Sequence, residues 1–394
     1  MQNEICEKCA GCRACEMACP ANAIEMVEDV EGFRFPHIIE EKCISCNICK
    51  KICPQNSRLS VKGQLNTHTA YAAQFNNDEI LMTSSSGAFF AALALEVLEG
   101  GGVVFGVEMN QDYHAVHTII ENKRELYRIR SSKYVASDPL TSFKLAKEKL
   151  DTGIVVLFSG CPCQIAGLKA YLRKPYENLV TVDIVCHGTP SQKLFDVYRT
   201  GMEEKFGAPI EKYQSRDKEK YGWGVYWSYI LNGKKKYGGL HDDPYCSTFI
   251  DHSANRECCY QCRYVGIENR SGDITLGDYW GVDVIHPEMA SNKGVSAVIS
   301  NTAKGQEWVE KALRYCRYVE STVENIARYN PSLVKAAERP SYRDLIYKGI
   351  DEKNPAQFLD ENLHIPVKKI VKTKIRLMIP YKARVFIKKL KKGL

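Results

Sequence analysis

Residues 4–54 contain Cys9-Ala-Gly-Cys12-Arg-Ala-Cys15-Glu-Met-Ala-Cys19-Pro20 and Cys43-Ile-Ser-Cys46-Asn-Ile-Cys49-Lys-Lys-Ile-Cys53-Pro54, two copies of C-x2-C-x2-C-x3-C-P. Three thiolates at this spacing let the chain curl around an iron–sulfur cubane, and the fourth reaches the other cluster. The predicted ligand sets therefore cross: one [4Fe–4S] cluster takes Cys9, Cys12, Cys15 and Cys53, and the other takes Cys43, Cys46, Cys49 and Cys19. Two structural zinc sites are the alternative, although zinc favours paired C-x2-C motifs. Cys6 lies outside both runs and is interpreted as a spare thiol.

Composition limits the class of protein. A chain of 394 residues with 44% hydrophobic residues is expected to form two or three domains. The 17 cysteines are an odd number and do not suggest a disulfide framework, so we expect a reducing, cytoplasmic compartment. No signal segment and no membrane-spanning apolar run is apparent in the sequence. The net charge of +7 comes from residues 367–394, which hold eleven basic residues and no acidic ones, so no nucleic-acid partner is expected.

The order of predicted elements divides the chain into four parts. Residues 1–62, with strands at 23–27 and 33–35, are expected to form an α+β ferredoxin-like dicluster domain. Alternating helices and apolar strands then predict an α/β domain with a mixed, mainly parallel sheet, in an N-terminal part (70–150) and a C-terminal part (151–335). Residues 336–394 are expected to form a helical basic tail. The predicted elements are helices at 88–98, from Ser137-Asp138-Pro139 to 150, around Cys163, from Thr189-Pro190 and at 304–318, strands at 103–107, 154–158, 179–185 and 295–300, and a hairpin turning at Asn232-Gly233.

Four more cysteines stand where a third cluster could form. Cys163 lies at the start of a predicted helix, Cys186 ends a predicted strand, and Cys259 and Cys262 form a C-x-x-C. Ligands collect at strand ends of α/β sheets, and a loop folded back on them would complete four thiolates. The residues alone leave alternatives open: Cys163 as a reactive thiol, Cys186 as a core residue, and the C-x-x-C as a redox or zinc pair.

Several motifs in one order resemble a known family. They are Ser85-Ser86-Gly87, Ser132-Lys133-Tyr134-Val135, Phe158-Ser-Gly-Cys-Pro-Cys-Gln-Ile-Ala-Gly167, Val185-Cys-His-Gly-Thr-Pro190, Cys259-x-x-Cys262 and Gly272-Asp-Ile-Thr-Leu-Gly-Asp-Tyr-Trp-Gly281. Together they are similar to the coenzyme F420 hydrogenase/dehydrogenase beta-subunit family over residues 70–330. The ferredoxin-like front matches a common bacterial arrangement of that family, found also in surface-polysaccharide biosynthesis.

The resemblance implies an oxidoreductase containing FAD and a third [4Fe–4S] cluster, with Cys163, Cys186, Cys259 and Cys262 as ligands. It places the flavin around Ser85, Ser86, Gly87, Ser132, Lys133 and Tyr134. Electrons would come from ferredoxin or another redox protein and reach a two-electron small-molecule substrate, coenzyme F420 or another. The alternative is a non-catalytic electron-transfer subunit. The family usually has Gly at Ala88 and often Thr at Cys161, so Cys161 competes with Cys163 as a ligand, and Cys258 competes with Cys259.

Other residues in these motifs have two interpretations each. Ser85 would present its turn to a diphosphate, or Ser84 or Ser85 would cap the next helix. His187 is the candidate catalytic residue, with packing as the alternative. Asp278, Tyr279 and Trp280 line the pocket or belong to the core. Arg216 and Asp217 are expected to form an ion pair.

The basic tail has a sequence pattern of its own. Beyond Pro380, Ala383, Phe386, Ile387, Leu390 and Leu394 share one side of a predicted helix, with lysines on the rest. This pattern predicts peripheral contact with anionic lipid at the inner face of the membrane, or a solvated or partner-docking helix.

Overall fold

The structure is a computed structural model that describes residues 5–56, 64–380 and 383–384. Within these ranges the strands are β1 Ile24–Glu28, β2 Arg34–Ile38, β3 Gln64–Phe75, β4 Val103–Met109, β5 Ala115–Ile120, β6 Val156–Gly160, β7 Leu179–Ile184, β8 Ile210–Gln214, β9 Trp227–Leu231, β10 Lys234–Gly238, β11 Ile274–Asp278, β12 Ser296–Thr302 and β13 Cys316–Ser321. The α-helices are α1 Ala14–Met17, α2 Ile48–Ile52, α3 Asp78–Met82, α4 Phe89–Glu99, α5 Leu126–Ile129, α6 Ser142–Asp151, α7 Pro162–Leu172, α8 Gln192–Phe206, α9 Pro244–Ile250, α10 Val282–Ile285, α11 Ala303–Leu313, α12 Val323–Ala327, α13 Pro331–Val334, α14 Arg343–Tyr347, α15 Pro355–Asn362 and α16 Val367–Met378.

The large sheet has the strand order β13-β3-β12-β11-β7-β6-β4-β5 among the described residues. The central strands β11, β7, β6 and β4 run parallel, and the flanking neighbours pair antiparallel. The parallel strands are mostly apolar because helices cover both faces of the sheet. One face packs on α4 and α11, and the other packs on α6 and α7. The predicted mixed α/β domain is confirmed.

A smaller sheet, β10-β9-β8, lies beside the large one. The predicted hairpin is present, and Asn232 and Gly233 at its turn have φ of 50° and 68°. Two residues with positive φ match the right-handed twist of the strands they join. An aromatic core, which includes Phe195, Tyr198 and Tyr245, packs this sheet against α8, α9 and α15.

The N-terminal domain contains the β1–β2 hairpin, with Ile24 opposite Ile38, and docks on the rest of the chain through buried arginines. The Arg256 Nε donates to the carbonyl of Cys9 at 2.7 Å, and its Nη2 donates to the carbonyl of Arg34 at 2.9 Å. The Arg343 Nη2 donates to Glu31 Oε2 at 2.6 Å. These contacts hold the cysteine motifs against the large domain.

Two predicted helix boundaries are wrong for a tertiary reason. The helix expected from Ser137-Asp138-Pro139 begins only at Ser142, because Arg13 and Arg34 of the N-terminal domain bind the Asp138 carboxylate. The helix expected at 304–318 ends at Leu313, because the residues from Cys316 onward pair with β3. Both changes follow from contacts between distant segments.

The helix predicted from Thr189-Pro190 begins at Gln192 instead. The Ser191 hydroxyl accepts from the Leu194 amide and so caps α8. Within the described ranges, no helix combines the length and the apolar character that crossing a bilayer needs. The apolar stripe predicted at 383–394 lies outside the described residues except for Ala383 and Arg384.

Candidate functional site

The first cysteine group consists of Cys9, Cys12, Cys15 and Cys53, all of which are buried. Burial raises the pKa of Cys15, and the neighbouring Cys12, Cys9 and Cys53 thiols raise it further. The Gly11 amide points at Cys9 Sγ at 3.4 Å, as expected for a loop that turns its N–H groups toward sulfur. The structure therefore brings Cys53 to the first run of the motif, in the crossed arrangement that the spacing predicts.

Cys6 shares this environment, which the sequence did not indicate. Its side chain is buried and packs with Cys9, Cys15 and Cys53. Hydrogen bonds with the Cys53 and Cys9 thiols raise the pKa of Cys6. The sequence could not predict the burial of Cys6, because it lies just outside the motif. Its packing depends on the fold that brings Cys53 of the second motif next to it.

The second cysteine group consists of Cys43, Cys46, Cys49 and Cys19. Cys43 and Cys46 are exposed, and Cys49 and Cys19 are half-buried. Burial, together with the charges of Cys46 and Cys19, raises the pKa of Cys49. The two groups share one spacing but differ in their access to solvent.

The third cysteine group consists of Cys163, Cys186, Cys259 and Cys262, from segments far apart in the chain. Burial raises the pKa of Cys163, and so do the charges of Cys186, Cys259 and Cys262. The structure thus brings the four residues into one neighbourhood. The competing Cys161 is also present, with its Sγ 3.7 Å from Cys186 Sγ, and Cys258 hydrogen-bonds with Cys259.

The first and third groups meet through α7, which begins beside Cys161 and carries Cys163. A methyl group added to Gly167 on this helix would lie 2.9 Å from both Cβ and Sγ of Cys12. This separation is shorter than carbon and sulfur atoms tolerate, so only glycine lets α7 approach Cys12 so closely. The sequence motif contained Gly167, but its partner could not be inferred from spacing.

The donor chemistry of these groups fits iron–sulfur clusters. All donors are thiols, and a cubane takes one thiolate at each iron, whereas a zinc ion gathers its donors around one point. Three sets of four thiols therefore suit cubanes. Among the described residues, no set of three or more His, Cys, Asp and Glu side chains is placed to hold a single metal ion.

A cavity of about 1400 Å³ lies at the carboxyl ends of the central strands. Cys161 and Cys186 are at its edge, and the predicted flavin residues Ser85, Ser132 and Tyr134 line it. Ligands of α/β sheets bind at this end of the strands because loops from several strands converge there. The volume exceeds the roughly 300–1,000 Å³ of most small-molecule sites and suits a large cofactor with a substrate.

Two predicted flavin segments meet directly in this cavity. The Ser85 hydroxyl accepts from the Ser132 amide at 2.7 Å and lies 2.9 Å from the Ser132 hydroxyl. The alternative role as a helix cap is wrong for both serines, because Ser84 donates to the Ile80 carbonyl. The N-cap of α4 is Ala88, whose side chain makes no capping bond.

Ala88 has φ of +62°, in the left-handed region that favours glycine. This is the position where the family usually has Gly. The neighbouring Gly87 is tightly packed as well, since a methyl group there would lie 2.2 Å from the Ala73 carbonyl oxygen. The backbone at 87–88 thus turns sharply against the sheet and brings the serine loop to the cavity.

Two lysines, the buried Lys218 and the half-buried Lys133, hold this part of the cavity wall. The Lys133 ammonium donates to the carbonyls of Arg130 at 2.7 Å and Ser131 at 3.1 Å, so it lies under the loop. Lys218 donates to the carbonyls of Ser86 and Lys293, both at 2.5 Å. Burial lowers the pKa of both lysines to about 7, while the carbonyls favour the protonated form. Both side chains therefore stabilise the loops by donating hydrogen bonds to their backbone carbonyls.

Arg216 is the centre of a polar cluster that the sequence did not reveal. Its guanidinium binds Asp278 at 2.8 and 3.0 Å and donates to the Ser85 carbonyl at 2.8 Å. The predicted Arg216–Asp217 pair is wrong, because Asp217 binds Lys235 at 2.8 Å instead. Adjacent residues of an extended segment point to opposite sides, so a pattern of neighbouring charges was a poor guide.

Aromatic rings complete the wall. Trp223 and Trp280 stack with centroids 4.8 Å apart, and the Trp223 Nε1 donates to Asp278 at 2.8 Å. Tyr134 stacks on Phe249 at 3.9 Å. Of the predicted trio, Asp278 and Trp280 line the cavity, whereas Tyr279 is fully buried in the core.

His187, the candidate catalytic residue, also lines the cavity. Its ring stacks near Phe249 and His252, at 6.2 and 5.7 Å between centroids. Burial lowers the pKa of His187 to about 4, which favours the neutral ring. A neutral imidazole there can donate one hydrogen bond and accept another.

The cavity wall offers donors that suit a bound anion with aromatic rings. The buried Nε atoms of Arg130 and Arg216 have no hydrogen-bond partner within the described part of the chain, and both residues line the cavity. Buried donors without partners are costly unless a ligand satisfies them. Together with the indole pair, these donors fit a flavin nucleotide.

Two family models match the chain. Residues 155–325 match the C terminus of the beta subunit of coenzyme F420 hydrogenase/dehydrogenase, and residues 8–57 match a 4Fe-4S dicluster domain. A solved structure of the F420-reducing [NiFe] hydrogenase complex from Methanosarcina barkeri, derivatized with xenon, is similar at 19% identity and a TM-score of 0.44, covering 76% of this chain and 90% of that chain. The comparison with curated proteins gives no match. The resemblance is confirmed over residues 155–325, which match the C terminus of the coenzyme F420 hydrogenase/dehydrogenase beta subunit, and the predicted dicluster domain is confirmed over residues 8–57.

Proposed function

We propose that this chain is an iron–sulfur flavoprotein oxidoreductase that exchanges electrons between a small redox protein, such as ferredoxin, and a two-electron substrate in the cavity. The observation that carries the proposal is the placement of the three cysteine groups. The second has Cys43 and Cys46 exposed, the first is buried against α7, and the third, which is half-buried, reaches the cavity through Cys186. When bound, [4Fe–4S] clusters supply one-electron carriers and FAD supplies a two-electron carrier.

The protein's own residues would position these groups. The first and second cysteine groups would hold the dicluster pair, and the third group would hold another cluster at the cavity edge. Ser85, Ser132 and the free Nε of Arg216 and Arg130 would face the flavin nucleotide. His187, whose pKa is lowered by burial, would present a neutral ring that donates one hydrogen bond and accepts another beside the substrate.

The exposed side of the second cysteine group is the expected docking site of the redox partner. Ile44, between two of the predicted ligands, is 65% exposed. Lys42, Lys50 and Lys51 of the same segment are exposed, and so are Glu40 and Glu41. The lysines outnumber the glutamates, so this surface would favour an acidic carrier, because charge steers the encounter of transient redox partners.

The substrate class within this proposal is a small two-electron acceptor or donor. Coenzyme F420 is one candidate, and other conjugated molecules are alternatives. A role in bacterial surface-polysaccharide biosynthesis belongs to the same proposal and rests on the resemblance alone. The alternative function is a non-catalytic electron-transfer subunit, for which the cavity would serve a partner's substrate site.

Anaerobic purification with iron, sulfide and flavin quantified together tests the proposal. About twelve irons and one flavin are expected, because each cubane holds four irons. The Cys163→Ser and Cys186→Ser variants should each fall to about eight irons, whereas Cys161→Ser and Cys258→Ser should keep about twelve. Eight irons in the unaltered protein would refute the third cluster. Turnover of a deazaflavin, nicotinamide or dye acceptor without added subunits would favour an enzyme, and strict dependence on a partner would favour a relay.

Peripheral membrane contact is a further part of the proposal. On α16, Val367, Val371 and Met378 form an exposed apolar flank beside lysines. Such a flank with basic neighbours suits the surface of an anionic bilayer. Cosedimentation with phosphatidylglycerol vesicles should weaken in Val367→Glu/Val371→Glu, and equal binding by this variant and the unaltered chain would remove the membrane interpretation of α16.

A further inference from the structure

Helix α16 lies across the cavity and is held there by specific contacts. Thr373 is buried against Gly239. A methyl group added to Gly239 would lie only 3.0 Å from Thr373 Cγ2, so the helix packs closely on this glycine. Lys369 pairs with Asp251 at 3.0 Å. Since these contacts span the helix from its first turn to its middle, its orientation over the cavity is set by packing.

The segment after α16 is held as well. The Arg384 Nη2 donates to the carbonyl of Tyr221 at 2.9 Å, and its Nη1 donates to the Tyr226 hydroxyl. The guanidinium carbon lies 5.6 Å from the centroid of the Tyr226 ring. The basic tail therefore begins as a roof of the cavity and is anchored on both sides of it.

One flank of the roof presents cations to the cavity. Lys372 and Arg376 line it, and residues four apart on a helix are neighbours on one face. Within the described residues, neither side chain has an ion pair or a side-chain hydrogen bond, and Asp251 and Asp278 are already paired with other cations. These two positive charges are therefore available to a bound anion.

The charges on this helix change the pKa of the neighbouring His241. His241 also lines the cavity and lies 3.0 Å from the Ser247 hydroxyl. Burial lowers the pKa of His241, and the charges of Lys369 and Arg376 contribute to the shift while Asp251 opposes it. The basic flank therefore lies close to the cavity wall that it faces.

This roof lies outside the segment that the family model matches, which ends at residue 325. We propose that Lys372 and Arg376 bind an anionic group, a phosphate or a carboxylate, of the small molecule that enters the cavity, so that α16 selects anionic substrates. The inference rests on the proposed function and names its substrate class. An ammonium and a guanidinium one turn apart suit a group with several acceptor oxygens.

Binding of inorganic pyrophosphate to the flavin-loaded protein, measured by calorimetry, tests the assignment, with citrate as the carboxylate probe. We expect saturable binding that weakens about ten-fold or more in Lys372→Ala/Arg376→Ala. The control is Lys368→Ala/Lys374→Ala, which removes the same charge from the same helix at positions that do not line the cavity. This control should stay within about two-fold of the unaltered protein.

Equal weakening in the two double variants would overturn the proposal, because it would reduce the effect to overall charge. Absence of saturable binding of both probes would overturn it as well. Flavin content is measured in the same preparations. Loss of flavin in Lys372→Ala/Arg376→Ala alone would place these cations on the cofactor and overturn the substrate role. Absence of flavin from every preparation would instead refute the proposed function, and the binding data would still report on the cations.

Discussion

The first and second cysteine groups have the same spacing, C-x2-C-x2-C-x3-C-P, but opposite surroundings. The first is buried beneath Arg256 and against Gly167 of α7, and the second is open to solvent at Cys43 and Cys46. The motif therefore specifies what each group binds, and the docked domain decides which group faces outward. Because of this difference, the second cysteine group of the N-terminal domain can meet a partner protein, whereas the first faces the interior of the chain.

The largest expected effect is that of replacing Arg256, which tests how the first cysteine group is held against the rest of the chain. Arg256→Met removes donors to the Cys9 and Arg34 carbonyls and the contact of its guanidinium with the Phe35 ring at 4.1 Å. We expect a loss of about 2–4 kcal/mol in the free energy of unfolding, because buried carbonyls lose a charged donor. Anaerobic denaturant titration measures it.

The matched control is Lys51→Met beside the second cysteine group, where the lysine is exposed. It should change stability by no more than about 0.5 kcal/mol. If both variants lost the same stability, the contrast between a docked and an open cysteine group would be wrong.

Gly167 tests the contact between the first and third groups. Gly167→Ala forces a methyl group against Cys12, and we expect a loss of about 1–3 kcal/mol as α7 shifts. The reduction potential of the first cluster should also change, because the protein around it is displaced. Gly100→Ala is the control, since its new methyl group would meet neighbours only at 3.5 Å and beyond. Equal stability of the two variants would contradict close packing at Cys12.

Exposure also predicts the order in which iron is lost. In air or with ferricyanide, the second cluster should be released first, about ten-fold faster than the rest, because attack follows solvent access. Iron content and visible absorption over time should show one fast phase of about four irons and a slower phase. Loss of all iron in a single phase would mean that the difference in burial does not protect the first cluster.

The same comparison explains what the sequence could and could not predict. The eight N-terminal cysteines could be predicted as cluster ligands because their spacing is local. The parallel strands could be predicted because burial on both faces makes them mostly apolar. The Arg216–Asp278 pair, the burial of Cys6 and the α16 roof could not be predicted, since each joins segments far apart in the chain. The helix start at Ser142 was missed for the same reason, as arginines of another domain bind Asp138.

The smallest expected change in stability is at Ala88, beside the cavity. Here the chain has alanine where the resemblance implies glycine. Ala88→Gly should raise the free energy of unfolding by about 0.5–1 kcal/mol, because φ of +62° strains a residue with a Cβ more than it strains glycine. Ala91→Gly is the control: it removes a buried methyl group from the same helix at an ordinary helical position and should lose about 1 kcal/mol. Thermal unfolding of both variants separates the effects of backbone conformation and side-chain burial. Equal losses in the two variants would show that the turn at 87–88 does not impose the left-handed conformation. The loop carrying Ser85 would then owe its position to its hydrogen bonds with Ser132, Arg216 and Lys218.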